Sequence, residues 1–206
     1  MTLHREALAE LTTWSAPPGR QASLRDRYVA HLHQHADGTE RSCFPDHLTA
    51  GTLVLSAEGD RVLLNLHRKA GRWFAFGGHC EPGDGSLLAT AYREATEESG
   101  ISGLRLSPEP VHLDEHAVDF CDTRGTVHHL DVRFAARAPA GAEPAVSAES
   151  TAVRWWALDD LPELEDEMRA LIGAARGRLQ STSSLPDPST EPGGGSSWAA
   201  ADQPER

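Results

Sequence analysis

The sequence predicts an α+β fold in which a mixed β-sheet is flanked by helices. Short β-prone runs, separated by glycine-containing turns, occupy the middle of the chain. A strong amphipathic helix lies among these runs, and weaker helical patterns lie at both ends. Because strands surround this one internal helix, we expect a single sheet covered by helices.

The N-terminal segment carries two short helical patterns. Pro17, Pro18 and Gly19 separate them, since neither residue type continues a helix well. We expect a helical extension over residues 1–47 that is not a separate domain. The apolar residues at helical spacing are Leu8, Leu11, Tyr28 and Leu32.

Six β-prone runs predict the strands of the main domain, residues 48–180. They are Thr52–Ser56, Val62–His67, Trp73–Phe76, Val111–His116, His128–Ala136 and Val153–Trp156. In the second run the side chains alternate between two faces, which predicts a strand with one core side. The two faces carry Val62, Leu64 and Leu66 on one side and Leu63, Asn65 and His67 on the other.

The C-terminal part divides into a helix and a tail. Apolar residues at helical spacing predict an amphipathic helix from about Leu164 to Leu179. Residues 181–206 are rich in Ser, Pro and Gly and contain too few apolar side chains to offset the entropy of ordering them. We therefore expect a disordered C-terminal tail.

The composition restricts the class of partner. With 31 acidic and 19 basic residues, the formal charge of -12 disfavours binding to a nucleic-acid polymer. No basic segment followed by an apolar one opens the sequence, and no apolar run reaches membrane-spanning length, so we expect a cytoplasmic protein without a membrane partner. The three cysteines are Cys43, Cys80 and Cys121, a sparse and odd set that we expect to be reduced.

The internal helix has clear start and stop signals. Asp84 or Ser86 is suited to cap its first turn, and Gly100 to end it in the left-handed conformation. The expected buried stripe consists of Leu87, Leu88, Ala91 and Ala95.

Three carboxylates, Glu94, Glu97 and Glu98, lie at i, i+3 and i+4 on the opposite side of this helix, and Arg93 is placed to hold one of them. Glutamate-rich helix faces are often only solvated. Here the cluster follows a loop containing Gly77 and Gly78, which permits close backbone approach. Repelling carboxylates beside such a loop indicate an oxygen-ligated cation.

These residues resemble the Nudix hydrolase family, whose box reads G-x5-E-x7-R-E-U-x-E-E-x-G-U with U aliphatic. The stretch Arg93–Ile101 satisfies nine consecutive positions of that pattern. The first half departs from it: counted from Gly78, the acidic position is Asp84, and eight residues separate it from Arg93. We therefore expect a loop one residue longer than in the family pattern. The resemblance extends from roughly Thr49 to Leu161.

The resemblance implies an α/β/α sandwich around a mixed sheet and a pyrophosphohydrolase that acts on acid anhydrides. The expected substrate is a small diphosphate of the nucleoside diphosphate type, cleaved by water attack at phosphorus with Mg²⁺ or Mn²⁺. The metal ligands would be Glu94, Glu97, Glu98 and the carbonyl of Gly78. Arg93 belongs to the same site, and either a helix glutamate or Glu149 would be the general base.

Two further residues are candidates for substrate binding. His79 directly follows the glycine pair and could contact a substrate phosphate, although a plain loop histidine explains it equally well. Arg72 is a cation available for the charge of the substrate, but a solvated turn is the better explanation of this residue.

The eleven histidines also suggest zinc. The absence of a C-x2-C pair argues against a standard zinc site. The nominal ligands are His79, Cys80, Cys121, His128 and His129. If the last two lie on a strand, they point to opposite faces, so at most one can line a pocket.

Two other functions stay open from the sequence. One is a ligand-binding or sensor module that keeps the fold without turnover, and the other is a diphosphate isomerase. A homodimer is also left open.

Overall fold

The computed structural model describes residues 2–148 and 150–182, without the side chains of Phe120 and Thr182. The four helices are α1 Leu3–Thr13, α2 Arg20–Gln34, α3 Leu87–Ser99 and α4 Asp166–Thr182. The eight strands are β1 Asp46–Leu55, β2 Arg61–His67, β3 Trp73–Phe74, β4 Phe76–His79, β5 Arg105–Leu106, β6 His112–Asp122, β7 Gly125–Arg137 and β8 Ser150–Ala157.

The eight strands form one mixed sheet. Its path runs β3-β2-β1-β7-β5, with β4 paired to β1, β6 paired to β7 and β8 paired to β2. Only the β1–β7 pair is parallel in this sheet of described strands, with Asp46 opposite His128 and Leu55 opposite Arg137. The long β1–β7 ladder therefore forms the centre of the molecule.

Helices cover both faces of the sheet, which makes the α/β/α sandwich. On one face, α1, α2 and α3 share a core with β1 and β7 that includes Leu11, Tyr28 and Phe134. On the other face, α4 packs through Leu171 and Ala175 against β1, β2 and β7. The predicted α+β class with a mixed sheet is confirmed.

The prediction of one core side for β2 is wrong. Val62, Leu63 and Leu64 are all buried, because Val62 and Leu64 pack in the α4 core while Leu63 packs in a third core with Ala95 of α3. A strand sandwiched between two helical layers needs apolar side chains on both faces, and simple alternation does not reveal this.

Most predicted elements exist, with shifted ends. β1 begins at Asp46 and not at Thr52, because residues 46–51 pair with β7. The predicted run Trp73–Phe76 is divided between β3 and β4, and β4 continues through the glycine pair to His79. Its ladder with β1, which includes Gly77 opposite Gly51, holds it in place. The short strand β5 was missed.

The two N-terminal helices and the C-terminal helix are confirmed, and α4 extends to Thr182. The predicted tail falls almost entirely on residues 183–206, which lie outside the described residues. Among those that are described, no helix combines the length and apolarity needed to cross a membrane. The three cysteines carry free thiols.

Candidate active site

Helix α3 is fixed to the centre of the sheet. The Ser86 hydroxyl caps it by accepting a hydrogen bond from the Ala89 N–H at 3.1 Å, and Gly100 ends it with φ of 69°. From β1, the Thr52 hydroxyl donates to the Ala91 carbonyl at 3.0 Å. Of the predicted buried stripe, only Leu88 is partly buried, and the other three residues are fully buried. These contacts set which face of α3 is turned towards solvent.

The glycine pair within β4 lets this strand lie close to both β1 and helix α3. A Cβ on Gly77 would lie 2.8 Å from the Gly51 Cα atom of β1. A Cβ on Gly78 would lie 2.6 Å from Oε1 of Glu94. Gly78 therefore faces α3, and the Glu94 carboxylate lies directly against its backbone.

Arg93 ties the loop to the helix. Its Nη2 donates to the His79 carbonyl at 2.9 Å and to Oδ2 of Asp84 at 2.9 Å, while its Nε donates to Oδ1 of Asp84 at 3.1 Å. Its Nη1 donates to Glu94 at 2.8 Å and to Glu97 at 3.3 Å. One guanidinium thus orients the loop and two of the three helix carboxylates.

Asp84 is a supporting residue of the loop. In addition to the Arg93 fork, its Oδ2 accepts hydrogen bonds from the Glu81 N–H and the Thr90 hydroxyl, both at 2.9 Å. Burial raises the pKa of Asp84, but the hydrogen bonds from Arg93, Glu81 and Thr90 outweigh this and hold the pKa below its ordinary value. The aspartate of the longer loop therefore still reaches Arg93.

The three glutamates differ in exposure. The Glu97 side chain is 61% exposed, the Glu94 side chain 15%, and Glu98 is buried, with Oε2 accepting the Gly77 N–H at 3.1 Å. Arg93 forms ion pairs with Asp84, Glu94 and Glu97. Several carboxylate oxygens gathered beside an accessible backbone are a donor set that fits a hard divalent cation.

The sequence placed Glu94, Glu97, Glu98, Arg93 and Gly78 together, and the structure brings all five together, with Gly78 on β4 and the other four on α3. Two contributors were missed. Thr90 lies one turn before Arg93 on the helix. Its helical spacing places a hydroxyl beside the glutamates, which was only a weak indication in the sequence that it belongs to the site. Nothing in the sequence indicated a role for Gly51, because that role depends on the pairing of β1 with β4.

The remaining candidates lie elsewhere. The Arg72 side chain forms an ion pair with Glu165, ahead of α4, and among the described residues it makes no hydrogen bond to the carboxylates of α3. Glu149 lies outside the described residues. His79 is opposite Thr49 in the β1–β4 ladder, so its ring points away from the face that Gly78 presents to α3.

The His79 imidazole lies among His47, His129 and Cys121. Burial, with the neighbouring His47 and Arg41, lowers the pKa of His79 to about 4, so the ring is neutral near pH 7. Its backbone carbonyl is the part of this residue that reaches Arg93.

Comparison with known proteins gives a family for this arrangement. Residues 45–173, more than half of the chain, match the family model described as NUDIX domain. No curated protein matches the chain.

Solved structures with a similar fold include three of this family. A MutT NUDIX hydrolase from Burkholderia pseudomallei is 26% identical, with 63% of this chain and 97% of that chain covered and a TM-score of 0.49. The NUDIX domain of Shewanella oneidensis NrtR, complexed with ADP ribose, is 23% identical, with 70% and 95% covered and a TM-score of 0.48. A NUDIX-family hydrolase from Clostridium perfringens is 20% identical, with 66% and 97% covered and a TM-score of 0.47.

Proposed function

The chain belongs to the NUDIX family, and from this premise we propose that it is a Mg²⁺- or Mn²⁺-dependent pyrophosphohydrolase. Its substrate would be a small diphosphate of the nucleoside diphosphate type, cleaved by attack of water at phosphorus. The observation that carries the proposal is the convergence of Glu94, Glu97 and Glu98 with the Gly78 backbone, oriented by Arg93.

Glu94, Glu97, Glu98 and the Gly78 carbonyl are the groups that would hold the cation. When bound, Mg²⁺ neutralises phosphate charge and makes a nucleophilic water available near neutral pH. Oxygen donors without a thiolate suit a hard cation, so we expect Zn²⁺ to be a poor substitute in turnover.

The protein's own residues have distinguishable roles in this proposal. Glu97 is the most exposed of the three glutamates, so it is the carboxylate most accessible to a ligand arriving from solvent. Glu98 is buried and accepts the Gly77 N–H, so it also ties strand β4 to α3. Arg93 is a positioning residue, because its five contacts orient Asp84, the His79 carbonyl and two glutamates.

The general base stays a choice between a helix glutamate and Glu149. Each would have to accept a proton from the attacking water, within hydrogen-bond distance of it. Of the proposed substrate contacts, Arg72 is exposed and paired with Glu165, and the His79 ring is turned away from the glutamates. Both stay predictions, as do the homodimer and the cytoplasmic location.

A substrate panel with Mg²⁺ tests the proposal. It should contain nucleotide sugars, dinucleotides, oxidised nucleotides and non-nucleoside diphosphates. Hydrolysis gives two products that together contain one added water, and ¹⁸O from labelled water should appear on a phosphate. A sensor module would bind a compound without product, and an isomerase would give a product of unchanged mass. Turnover that persists in EDTA would contradict the metal requirement.

A further inference from the structure

Four potential metal-binding side chains converge on the face of the sheet opposite α3. We call them the histidine–cysteine cluster: His47 of β1, His79 at the end of β4, Cys121 of β6 and His129 of β7. One nitrogen or sulfur atom from each lies within 4.8 Å of the corresponding atom of every other member. These residues are separate from the glutamate donors on α3.

The strand register brings these residues together. His47 is opposite His129 in the parallel β1–β7 ladder, and their ring centroids are 5.1 Å apart. His79 joins them because β4 pairs with β1 two residues further on. Cys121 lies where the β6–β7 register shifts between Val118 and Asp122, an irregularity of the kind that redirects a side chain. His128, the neighbour of His129, points away and pairs with Asp46 at 3.0 Å.

His47 has an unpartnered nitrogen inside the cluster. The residue is 1% exposed, and its Nδ1 is 3.0 Å from the Cys43 carbonyl, so Nδ1 must carry the hydrogen. Its Nε2 is then a lone-pair acceptor, and it is buried without a hydrogen-bond partner. Buried polar atoms without partners are rare and costly in folded proteins. A histidine whose Nδ1–H is held by a backbone carbonyl presents Nε2 as a metal-ligating histidine does.

The sulfur of Cys121 lies between two of the histidines. Its Sγ is 3.4 Å from Nε2 of His79 and 3.4 Å from Nε2 of His129. For a tetrahedral Zn²⁺ with ordinary Zn–N and Zn–S bond lengths, neighbouring ligand atoms are about 3.3–3.6 Å apart. The two Sγ–Nε2 separations are close to that spacing. Since no two of the four ligand atoms are more than 4.8 Å apart, every other pair needs a contraction of at most about 1.5 Å.

Hydrogen bonds alone do not satisfy the cluster. A Cys121 thiol can donate to one of the two imidazoles and accept from the other, which pairs His79 and His129. The Nε2 atom of His47 still has no partner. A cation ligated by three imidazoles and a thiolate would use every one of these atoms.

We propose that the histidine–cysteine cluster is a second metal site, which binds Zn²⁺ through His47, His79, Cys121 and His129. Imidazole and thiolate ligands favour such a borderline-soft cation over Mg²⁺, which favours the carboxylates of α3. The zinc joins four strands at the point where β4 ends. Since the His79 carbonyl accepts a hydrogen bond from Arg93 at 2.9 Å, the zinc site also steadies a contact of the residue that orients the glutamates.

Metal binding by the full chain tests the proposal. The purified protein, stripped of metals, should bind one Zn²⁺ per chain. Co²⁺ should bind there with the spectrum of a tetrahedral ion and a thiolate-to-cobalt charge-transfer band. Cys121→Ser should abolish that band, and both Cys121→Ser and His129→Gln should weaken Zn²⁺ binding at least about 100-fold.

Three variants serve as controls. Cys80→Ser and His128→Gln remove the same residue types just outside the cluster and should keep the Zn²⁺ affinity. Glu97→Gln should also keep the Zn²⁺ affinity, because the proposed Mg²⁺ site is separate. The zinc proposal can therefore fail or hold independently of the proposed hydrolase function.

A measurement on the unchanged protein covers the case in which a variant does not fold. Zn²⁺ should protect Cys121 from alkylation, mapped by mass spectrometry, while the rate at Cys80 stays the same. The proposal is overturned if the full chain binds no stoichiometric Zn²⁺, if Co²⁺ shows no thiolate band, or if Zn²⁺ leaves the alkylation of Cys121 unchanged.

Discussion

Arg93 accounts for much of the geometry of the proposed catalytic site. The helical spacing predicts an Arg93–Glu97 contact, and the structure has it at 3.3 Å. The contact with Glu94 is to the next residue of the same helix, whereas the contacts with Asp84 and with the His79 carbonyl depend on how the loop before α3 folds. Hydrogen bonds to Asp84 and Glu94 outweigh burial and raise the pKa of Arg93 further above its ordinary value, so the guanidinium is a permanent cation.

Glu97→Gln distinguishes two explanations of Glu97, as a metal ligand or as a solvated carboxylate on the helix surface. The change keeps size and helix propensity, and it relieves repulsion with Glu94 and Glu98, so the free energy of unfolding should hardly change. Loss of a metal ligand should lower kcat/KM at least ~100-fold, about 2.7 kcal/mol in the barrier. The measurements are kcat/KM and Mg²⁺ affinity of the folded variant.

Glu58→Gln is the matched control, since Glu58 is exposed in the β1–β2 turn, away from α3. It should leave both quantities unchanged. Near-wild-type activity in Glu97→Gln would remove Glu97 from the site.

The lowered pKa of Asp114 makes the free energy of unfolding depend on pH. Burial raises its pKa, but the hydrogen bond with His116 and the charge of Arg133 outweigh this and lower the pKa from 3.8 to about 2. Because the folded-state pKa is depressed, the stabilisation of about 2 kcal/mol is present above the unfolded pKa and disappears as pH falls towards 2. Asp114→Asn should therefore be less stable than wild type near neutral pH, and the gap should narrow below about pH 4.

Urea unfolding at several pH values measures this gap. Asp159→Asn, which changes an exposed aspartate, should show no gap at any pH. A gap for Asp114→Asn that is constant with pH would mean that it arises from packing and not from ionisation.

At the scale of elements, the site depends on the close approach of β4 to strand β1 and to helix α3. Strand β4 approaches β1 at Gly51 and Gly77, and its next residue, Gly78, faces Glu94. Since none of these three glycines has a positive φ, they matter for the space they leave and not for a special turn. The register of β4 on β1 therefore sets the distance between loop and helix.

Gly78→Ala should damage the site more than the fold. The added Cβ would lie 2.6 Å from the Glu94 carboxylate, so this side chain must move away from its place beside the loop. We expect at least a ~10-fold loss in kcat/KM, since a displaced ligand weakens both cation binding and positioning. The variant should still unfold cooperatively.

Gly83→Ala is the control, in the loop between β4 and α3, because a Cβ there meets nothing within 4 Å. Equal losses in the two variants would show that loop flexibility matters and the close approach to Glu94 does not.

At the scale of the whole molecule, the N-terminal helices are part of the fold. Leu11 and Tyr28 are fully buried in the same core as Leu87 of α3, and the Tyr28 hydroxyl donates to the Asp114 carbonyl at 2.6 Å. The helices lie ahead of the residues matched by the family model, yet they complete one of its cores.

Leu11→Ala should lower the free energy of unfolding by about 2–5 kcal/mol, because it leaves a cavity among these helices. Thr12→Ala, one position along on the exposed side, should change it by much less. Denaturant unfolding of both variants decides the point. A change below about 1 kcal/mol in Leu11→Ala would show that α1 contributes little to the fold.

A chain that ends at Thr182 should keep full kcat, because the residues after it bring few apolar side chains and none of the site motifs. The cut belongs after α4 and not at Leu179, since Leu179 is buried and its carbonyl accepts from Arg137 at 3.4 Å. Activity assays of the shortened and full chains test this, and a large fall in kcat would place the last residues at the site.

The sequence by itself determined the features that depend on near neighbours in the chain. Helical spacing gave the buried stripe of α3 and the shared face of Glu94, Glu97 and Glu98, and local turn chemistry gave its left-handed end at Gly100. Alternation in β7 correctly separated His128 from His129. Each of these follows from backbone geometry within a few residues.

Only the tertiary structure decided which distant segments meet. The β1–β7 and β1–β4 registers bring His47, His79 and His129 to one point, and a shifted register adds Cys121. No short spacing in the sequence, such as C-x2-C, indicates this cluster, because each of its members comes from a different strand. Strand register is set by long-range pairing and by burial on both faces of the sheet, so no local pattern in the sequence specifies it.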